Sequence, residues 1–323
     1  MNFHLQFPIT PFPEKINYAH PFLFLGSCFA ENIGETMQHY KFNVKINPHG
    51  VLYNPSSIAV ALRRYIENKG MQESELFFAN DCWNSWEHHS RFSNTDKQNC
   101  LLEINQHIFS SHELIKNAEW LFITFGSAFI YKRNETNDLV GNCHKIPQKE
   151  FTKQLLTVAE IVSDYNKLIE ELKQINTKLK IVFTVSPVRY MRDGAMENTL
   201  SKARLIATVH ELGKVNSNTF YFPAFELVID DLRDYRFYKI DLVHPNEQAI
   251  DYVFEKMMNA TFDEETKQLF EKIKEIKTAS SHRPFNLNSA SHKKFKSTYL
   301  ERCIQMQEKF PFLDLSDEVK LFR

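Results

Sequence analysis

Ser27 stands directly behind Gly26 at the end of an apolar run, in "FLFLGSCFA" from Phe22 to Ala30, with Cys28 beside it. Far downstream, Asp241 precedes His244 by three positions in "YKIDLVHPNEQAID". A serine hydroxyl is a weak nucleophile until a base takes its proton. An imidazole can do so, and a carboxylate three residues away can fold back onto one ring nitrogen and leave the other free. Together these residue types point to acyl transfer through a covalent serine ester. Each half also has an ordinary reading: Gly-Ser is common strand-to-helix punctuation, an aspartate near a helix start is often a cap, and an exposed histidine often does nothing. Cys28 is intrinsically the better nucleophile, yet its position argues against it. The residue after Gly26 should project into the crevice, whereas the next enters the helix and turns toward the packed layer as a small buried hydrophobe.

The elements that must carry these residues are short apolar runs ending at turn residues: "FLFLGS", "WLFITFGS", "KIVFTVSP" and "TFYFP". Such runs predict strands covered on both faces, because a doubly covered strand loses its polar alternation. Helical patterns lie between them, over Phe151 to Gln174 and more weakly over Pro55 to Asn68 and Asn198 to Val215. The alternation predicts an α/β fold, a three-layer α/β/α sandwich around a mostly parallel sheet with right-handed crossovers. In such sheets ligands bind beyond the carboxyl ends of the strands, which is where Gly26, Ser27 and Gly126 fall. A helix over "AENIGETMQHY" would put Ser27 at its N-terminus, where free backbone N–H groups, its own included, favour an oxyanion. Pro245 suits the first position of the helix after His244. The polar, aromatic stretch near 81–110 predicts an insertion above the sheet. The boundaries expected are an α/β domain over 1–262 and a helical C-terminal appendage over 263–323, in which charged helical segments flank the turn-rich "SSHRPFNLNSASH".

Composition narrows the partners. A formal net charge of -1 gives no electrostatic footprint for nucleic acid or an anionic membrane, so neither is expected. The five cysteines are odd in number and form no C-x-x-C, which predicts reduced thiols in a cytoplasmic protein. The N-terminus lacks a signal-peptide pattern, and no apolar run reaches the roughly eighteen residues of a membrane span. The eight glycines make no phosphate-binding loop, and no cofactor is implied. Oligomeric state leaves no sequence signal.

The motif "GSCFA" resembles the signature of the GSCFA family, and "NPHGVLYNP", "TFGSAFIY", "NCHKIP", "TVSPVR" and "LRDYRFYKIDLVHP" follow in the family's order. That family resembles the SGNH, or GDSL-type, hydrolases, which are flavodoxin-like α/β/α proteins that cleave or transfer acyl esters. The resemblance implies Ser27 as nucleophile, Asp241 as orienter and His244 as base. It implies an oxyanion hole in which Gly50 serves as a donor, although Gly50 reads equally well as a turn glycine. Where the SGNH pattern has a donor asparagine, this chain has Ala128 in "GSAF". Asn142 is the replacement expected, with Asn54 as a weaker alternative; both also read as turn residues.

Trp86, His88 and His144 are candidates for the substrate pocket, and each reads equally as a packed aromatic or a loop hydrogen-bonder. Arg189 in "SPVR" could reach the same crevice and bind an anionic or sugar-like substrate, with a structural ion pair as the commoner role. His88, His89, Cys143 and His144 have ligating side chains without the spacing of a zinc site, so no metal is expected. The reading these residues favour is a serine esterase or acyltransferase acting on a small-molecule or saccharide ester, such as an O-acetylated sugar. Its rivals are a catalytically weakened carbohydrate-binding protein on the same fold and a metal enzyme centred on His88 and Cys143.

Overall fold

The computed structural model describes residues 5–323. In chain order the first half comprises β1 (Phe22–Gly26), α1 (Cys28–His39), β2 (Val44–Ile46), α2 (Pro55–Glu67), β3 (Leu76–Ala79), β4 (Cys82–Ser85), α3 (Lys97–Asn117), β5 (Trp120–Phe125), β6 (Phe129–Arg133), β7 (Leu139–Val140) and β8 (Phe151–Leu155). The second half comprises α4 (Val158–Ile175), β9 (Lys180–Val185), α5 (Ala195–Val215), β10 (Thr219–Tyr221), the short α6 (Ala224–Glu226), α7 (Glu247–Thr261), α8 (Glu264–Ser280), α9 (Ala290–Lys309) and α10 (Ser316–Phe322). No helix among the described residues is long and apolar enough to cross a membrane.

Five strands form one parallel sheet in the order β2-β1-β5-β9-β10. Counting only these strands the order is 2-1-3-4-5, the flavodoxin-like doubly wound arrangement. Side-chain alternation divides the apolar runs between two cores. Leu23, Leu25, Leu121, Ile123 and Phe125 face a core shared with α2, α3, α4 and α5, while Phe22, Phe24, Trp120 and Phe122 face one shared with α1, α7 and α8. Both faces are thus covered, which is why the strands read as unbroken apolar runs. Cys303 of α9 and Phe322 of α10 join the second core, so the C-terminal helices build onto that same side.

Three local expectations need correction. Phe151–Leu155 is not helical: it pairs antiparallel with β6 in a separate three-stranded sheet, β7-β6-β8. Helix α4 starts only after Thr157, whose hydroxyl accepts from Glu160 N while the Glu160 carboxylate takes Thr157 N, a reciprocal cap. The stretch 81–110 is not one insertion, since Cys82–Ser85 closes a hairpin with β3 and α3 buries Cys100, Ile104 and Ile108 against the sheet layer. Pro245 lies before the helix; Asn246 caps α7, accepting from Ala249 N.

Candidate active site

Gly26 ends β1 with φ +134°, and a Cβ there would lie 2.1 Å from Thr124 O of β5. Only glycine lets the two strands come this close while the chain turns into α1. Ser27 is the N-cap of that helix: its Oγ accepts from Phe29 N at 3.3 Å. The side chain therefore sits at the carboxyl ends of β1 and β5, where the winding direction of the sheet reverses and a crevice opens. Gly126 lies directly opposite, and a Cβ on it would stand 3.3 Å from Ser27 Cβ. Ser27 is only 1% exposed yet lines a cavity of about 860 Å³.

His244 lines the same cavity from the loop before α7. A bridge between Tyr238 and Pro245, with Lys239 N donating to His244 O at 2.7 Å, closes that loop. Leu242 holds a left-handed φ of +58°, turning the chain so that Asp241 and His244 face each other. Asp241 Oδ2 lies 2.7 Å from His244 Nδ1, and Oδ1 accepts from Val243 N and His244 N. These N–H groups, together with the imidazole, hold the Asp241 carboxyl down at about 2, so it is ionised at neutral pH. No hydrogen bond joins Ser27 Oγ to His244 among the described residues; both side chains face the same space.

The candidates for oxyanion donors are placed differently from one another. Gly50 does not line the cavity: its N–H donates to Asn47 O at 2.7 Å, and its φ of +79° and the nearness of His89 Cβ make it a turn glycine. The Ser27 N–H is also committed, to Thr124 O at 3.2 Å. Asn142 does line the cavity, with Oδ1 accepting from His144 N and Nδ2 donating to Ser90 Oγ at 3.3 Å. Asn54 lines it too. Its Oδ1 caps α2 by accepting from Ser57 N at 2.8 Å, and its Nδ2 has no protein partner among the described residues. Of the two asparagines, Asn54 is the one with an uncommitted amide.

The remaining candidates divide. His144 and Arg189 line the cavity. His144 Nε2 donates to Ser85 O at 2.8 Å, and burial lowers its pKa, so the ring is neutral. Trp86 and His88 do not line it. Trp86 stacks on Phe77 with centroids 3.7 Å apart, and its carbonyl accepts from Gly141 N, so it braces the loop behind the wall. His88 is fully buried and stacks on His49 at 3.9 Å. Cys28 departs from its expected place as well, being half-buried and lining the cavity. Burial raises that thiol's pKa, which keeps it protonated and a poor nucleophile.

Lys202 was missed by the sequence reading. It is 2% exposed, and its Nζ donates to Gly126 O and Ser186 O, both at 2.6 Å, tying the chain just beyond β5 to that just beyond β9. Burial pushes its pKa down to about 7. A signal existed: Asn198, Ser201, Lys202, Leu205, Val209 and Leu212 recur at helical spacing, placing a lysine on the inward face of α5. Ser201 on the same face accepts from Ala128 N at 2.8 Å, so α5 supports the loop opposite Ser27.

Fold and site together define a doubly wound α/β protein with a serine and an Asp-His pair on one crevice at the reversal of the sheet. The GSCFA family model matches residues 21–257, and that of the GSCFA domain protein, C-terminal domain, matches residues 273–323. The chain belongs to the GSCFA family. No curated protein matches it. Among solved structures it is similar to a carbohydrate esterase family 3 protein from Talaromyces cellulolyticus, at 11% identity and a TM-score of 0.27 over 50% of this chain. The match spans 63% of that relative's length, and at this TM-score it adds nothing to the strand order read from the sheet itself.

Proposed function

We propose that the chain is a serine esterase or O-acyltransferase that works through an acyl-serine intermediate, with an O-acylated compound such as an acetylated saccharide as the acyl donor. The observation that carries this reading is that Ser27 and His244 line one cavity while Asp241 holds His244 Nδ1 at 2.7 Å. In the first step Ser27 Oγ bonds to the ester carbonyl carbon and His244 Nε2 takes the serine proton. Asp241 keeps Nδ1 protonated and stabilises the imidazolium that forms. The Asn54 amide, with Asn142 on the facing loop, donates to the developing oxyanion. Collapse breaks the ester C–O bond, and the alcohol leaves with the proton from His244. Water or an acceptor hydroxyl then attacks the acyl-serine by the reverse sequence, restoring Ser27.

The missing Ser27–His244 hydrogen bond favours a second reading, a protein that binds such esters without turning them over. Catalytic hydrogen bonds often tighten only when substrate is bound, so the first reading stands. A fluorophosphonate probe separates the two. Labelling of Ser27 that disappears in His244→Ala supports the enzyme, while a serine inert in the wild type supports the binder.

A further inference from the structure

Acidic and basic residues are almost equal in number in this chain, 40 against 39, so its surface has no general basic bias. The cavity wall departs from that balance. Among the described residues it includes Lys145, Arg189 and Arg192 and no aspartate or glutamate. Among the described residues none of the three cations has a carboxylate within ion-pair distance, although the charge of Asp193 acts on its neighbour Arg192. Arg192 Nη2 donates to the Gln148 amide oxygen at 3.3 Å, and Arg189 stands beside the Tyr238 hydroxyl, both neutral partners. Cations just off the wall are paired in the ordinary way, Lys153 with Asp193 at 2.5 Å and Lys239 with Glu247 at 3.6 Å. Lys202 adds a further amine beneath the floor, held by carbonyl oxygens rather than by a carboxylate.

Unpaired like charges in one concavity repel each other and focus a positive potential into it, and an anion placed there relieves the repulsion. Arginine suits this task, because its planar fork donates two parallel hydrogen bonds to a carboxylate or phosphate. Arg189 is also fixed relative to the base, since its backbone N–H donates to Val243 O at 3.3 Å, one residue before His244. The same wall includes Phe129, Tyr131 and Phe151, which suit a flat or apolar substrate body.

We propose that the ester accepted at this site carries an anionic group, a carboxylate or phosphate, held by Arg189 and Arg192 while its scissile carbonyl lies over Ser27. The proposal rests on the hydrolase reading for the reaction but not for the recognition.

The test uses the whole protein and three acetate esters: 4-acetoxybenzoate, its uncharged methyl ester and 4-acetoxyphenyl phosphate. The wild type should favour either anion over the methyl ester in kcat/KM, and the larger preference names the group. Arg189→Gln and Arg192→Gln should each reduce that preference about tenfold, as expected for losing one charge-assisted contact, and Arg189→Lys should restore part of it. Raising salt from about 0.05 to about 0.5 M should weaken the preference in the same direction. Calorimetric titration of Ser27→Ala with 4-acetoxybenzoate and the methyl ester reads recognition without turnover. Charge-dependent binding with no turnover of any ester would sink the hydrolase reading and leave the anion site standing. Turnover indifferent to charge, a preference untouched by both arginine substitutions, or no binding of either ester would overturn the anion site.

Discussion

Asp241 and His244 form a single unit: one carboxylate oxygen lies 2.7 Å from Nδ1 and the other takes the backbone N–H groups of Val243 and His244. The ring and its orienter are thus fixed to one short loop, which places His244 on the cavity wall. Ser27 is fixed just as firmly by β1 and α1.

Ser27→Ala should reduce ester hydrolysis by more than about 10³-fold, the scale of losing a nucleophile. Because Ser27 caps α1, the variant should also lose about 1 kcal/mol of stability, measurable by urea unfolding. Cys28→Ala should keep its turnover. A bulky maleimide should slowly inactivate the wild type by filling the cavity, which Cys28 and Cys143 both line, and should leave a Cys28→Ala, Cys143→Ala double variant untouched. An active Ser27→Ala with an acyl adduct on Cys28 would reverse the assignment.

Asn54 caps α2, and the proposed mechanism gives its amide a second job that one substitution can separate. Asn54→Asp retains the oxygen that caps α2 and deletes the amide donor. Its turnover number should fall about 10²-fold with little change in KM and near-native unfolding, the pattern of a donor used in the transition state. Asn142→Ala should show a smaller loss, because its Nδ2 already donates to Ser90 Oγ. Equal and negligible effects at both positions would leave backbone donors alone to serve the oxyanion.

Lys202 should leave a pH signature in stability. Its pKa is about 7 in the folded chain against 10.5 for an ordinary lysine. Between those values the unfolded chain holds a proton that the folded chain has released, so stability rises with pH across that window. Below pH 7 the ammonium remains buried and the contribution is lost. Urea unfolding of wild type and Lys202→Met at about pH 7 and about pH 10 should show the wild type gaining on the variant at the higher pH. A constant difference would mean that Lys202 does not change protonation in that range.

Much of this molecule was legible along the chain because the relevant physics is local. Apolar runs without polar alternation marked four of the five strands of the main sheet, and β2 escaped because Val44–Ile46 is too short to make a run. Gly26 and Ser27 were legible because a turn directly after a buried strand requires a residue free of Cβ and places the next residue at the crevice. Asp241 and His244 were legible because three residues suffice to bring their side chains together. Phe151–Leu155 misled because its apolar residues also fit the helical spacing of α4, and only pairing with β6 made it a strand.

What the chain could not disclose depends on which distant segments become neighbours. The order β2-β1-β5-β9-β10 brings Gly126 against Ser27 and the His244 loop over the same crevice. Burial against His49 took His88 out of the pocket, and the turn at Asn47 occupied the Gly50 amide, neither of which a residue's type reveals. The sequence favoured Asn142 over Asn54, and only their partners showed that Asn54 is the one with an uncommitted amide. Lys202 acquired its place only when α5 packed beneath the ends of two strands. Residue types and short spacings therefore determined the chemistry available, and long-range packing decided which groups meet, because hydrogen-bond commitment and burial belong to contacts between segments rather than to any segment alone.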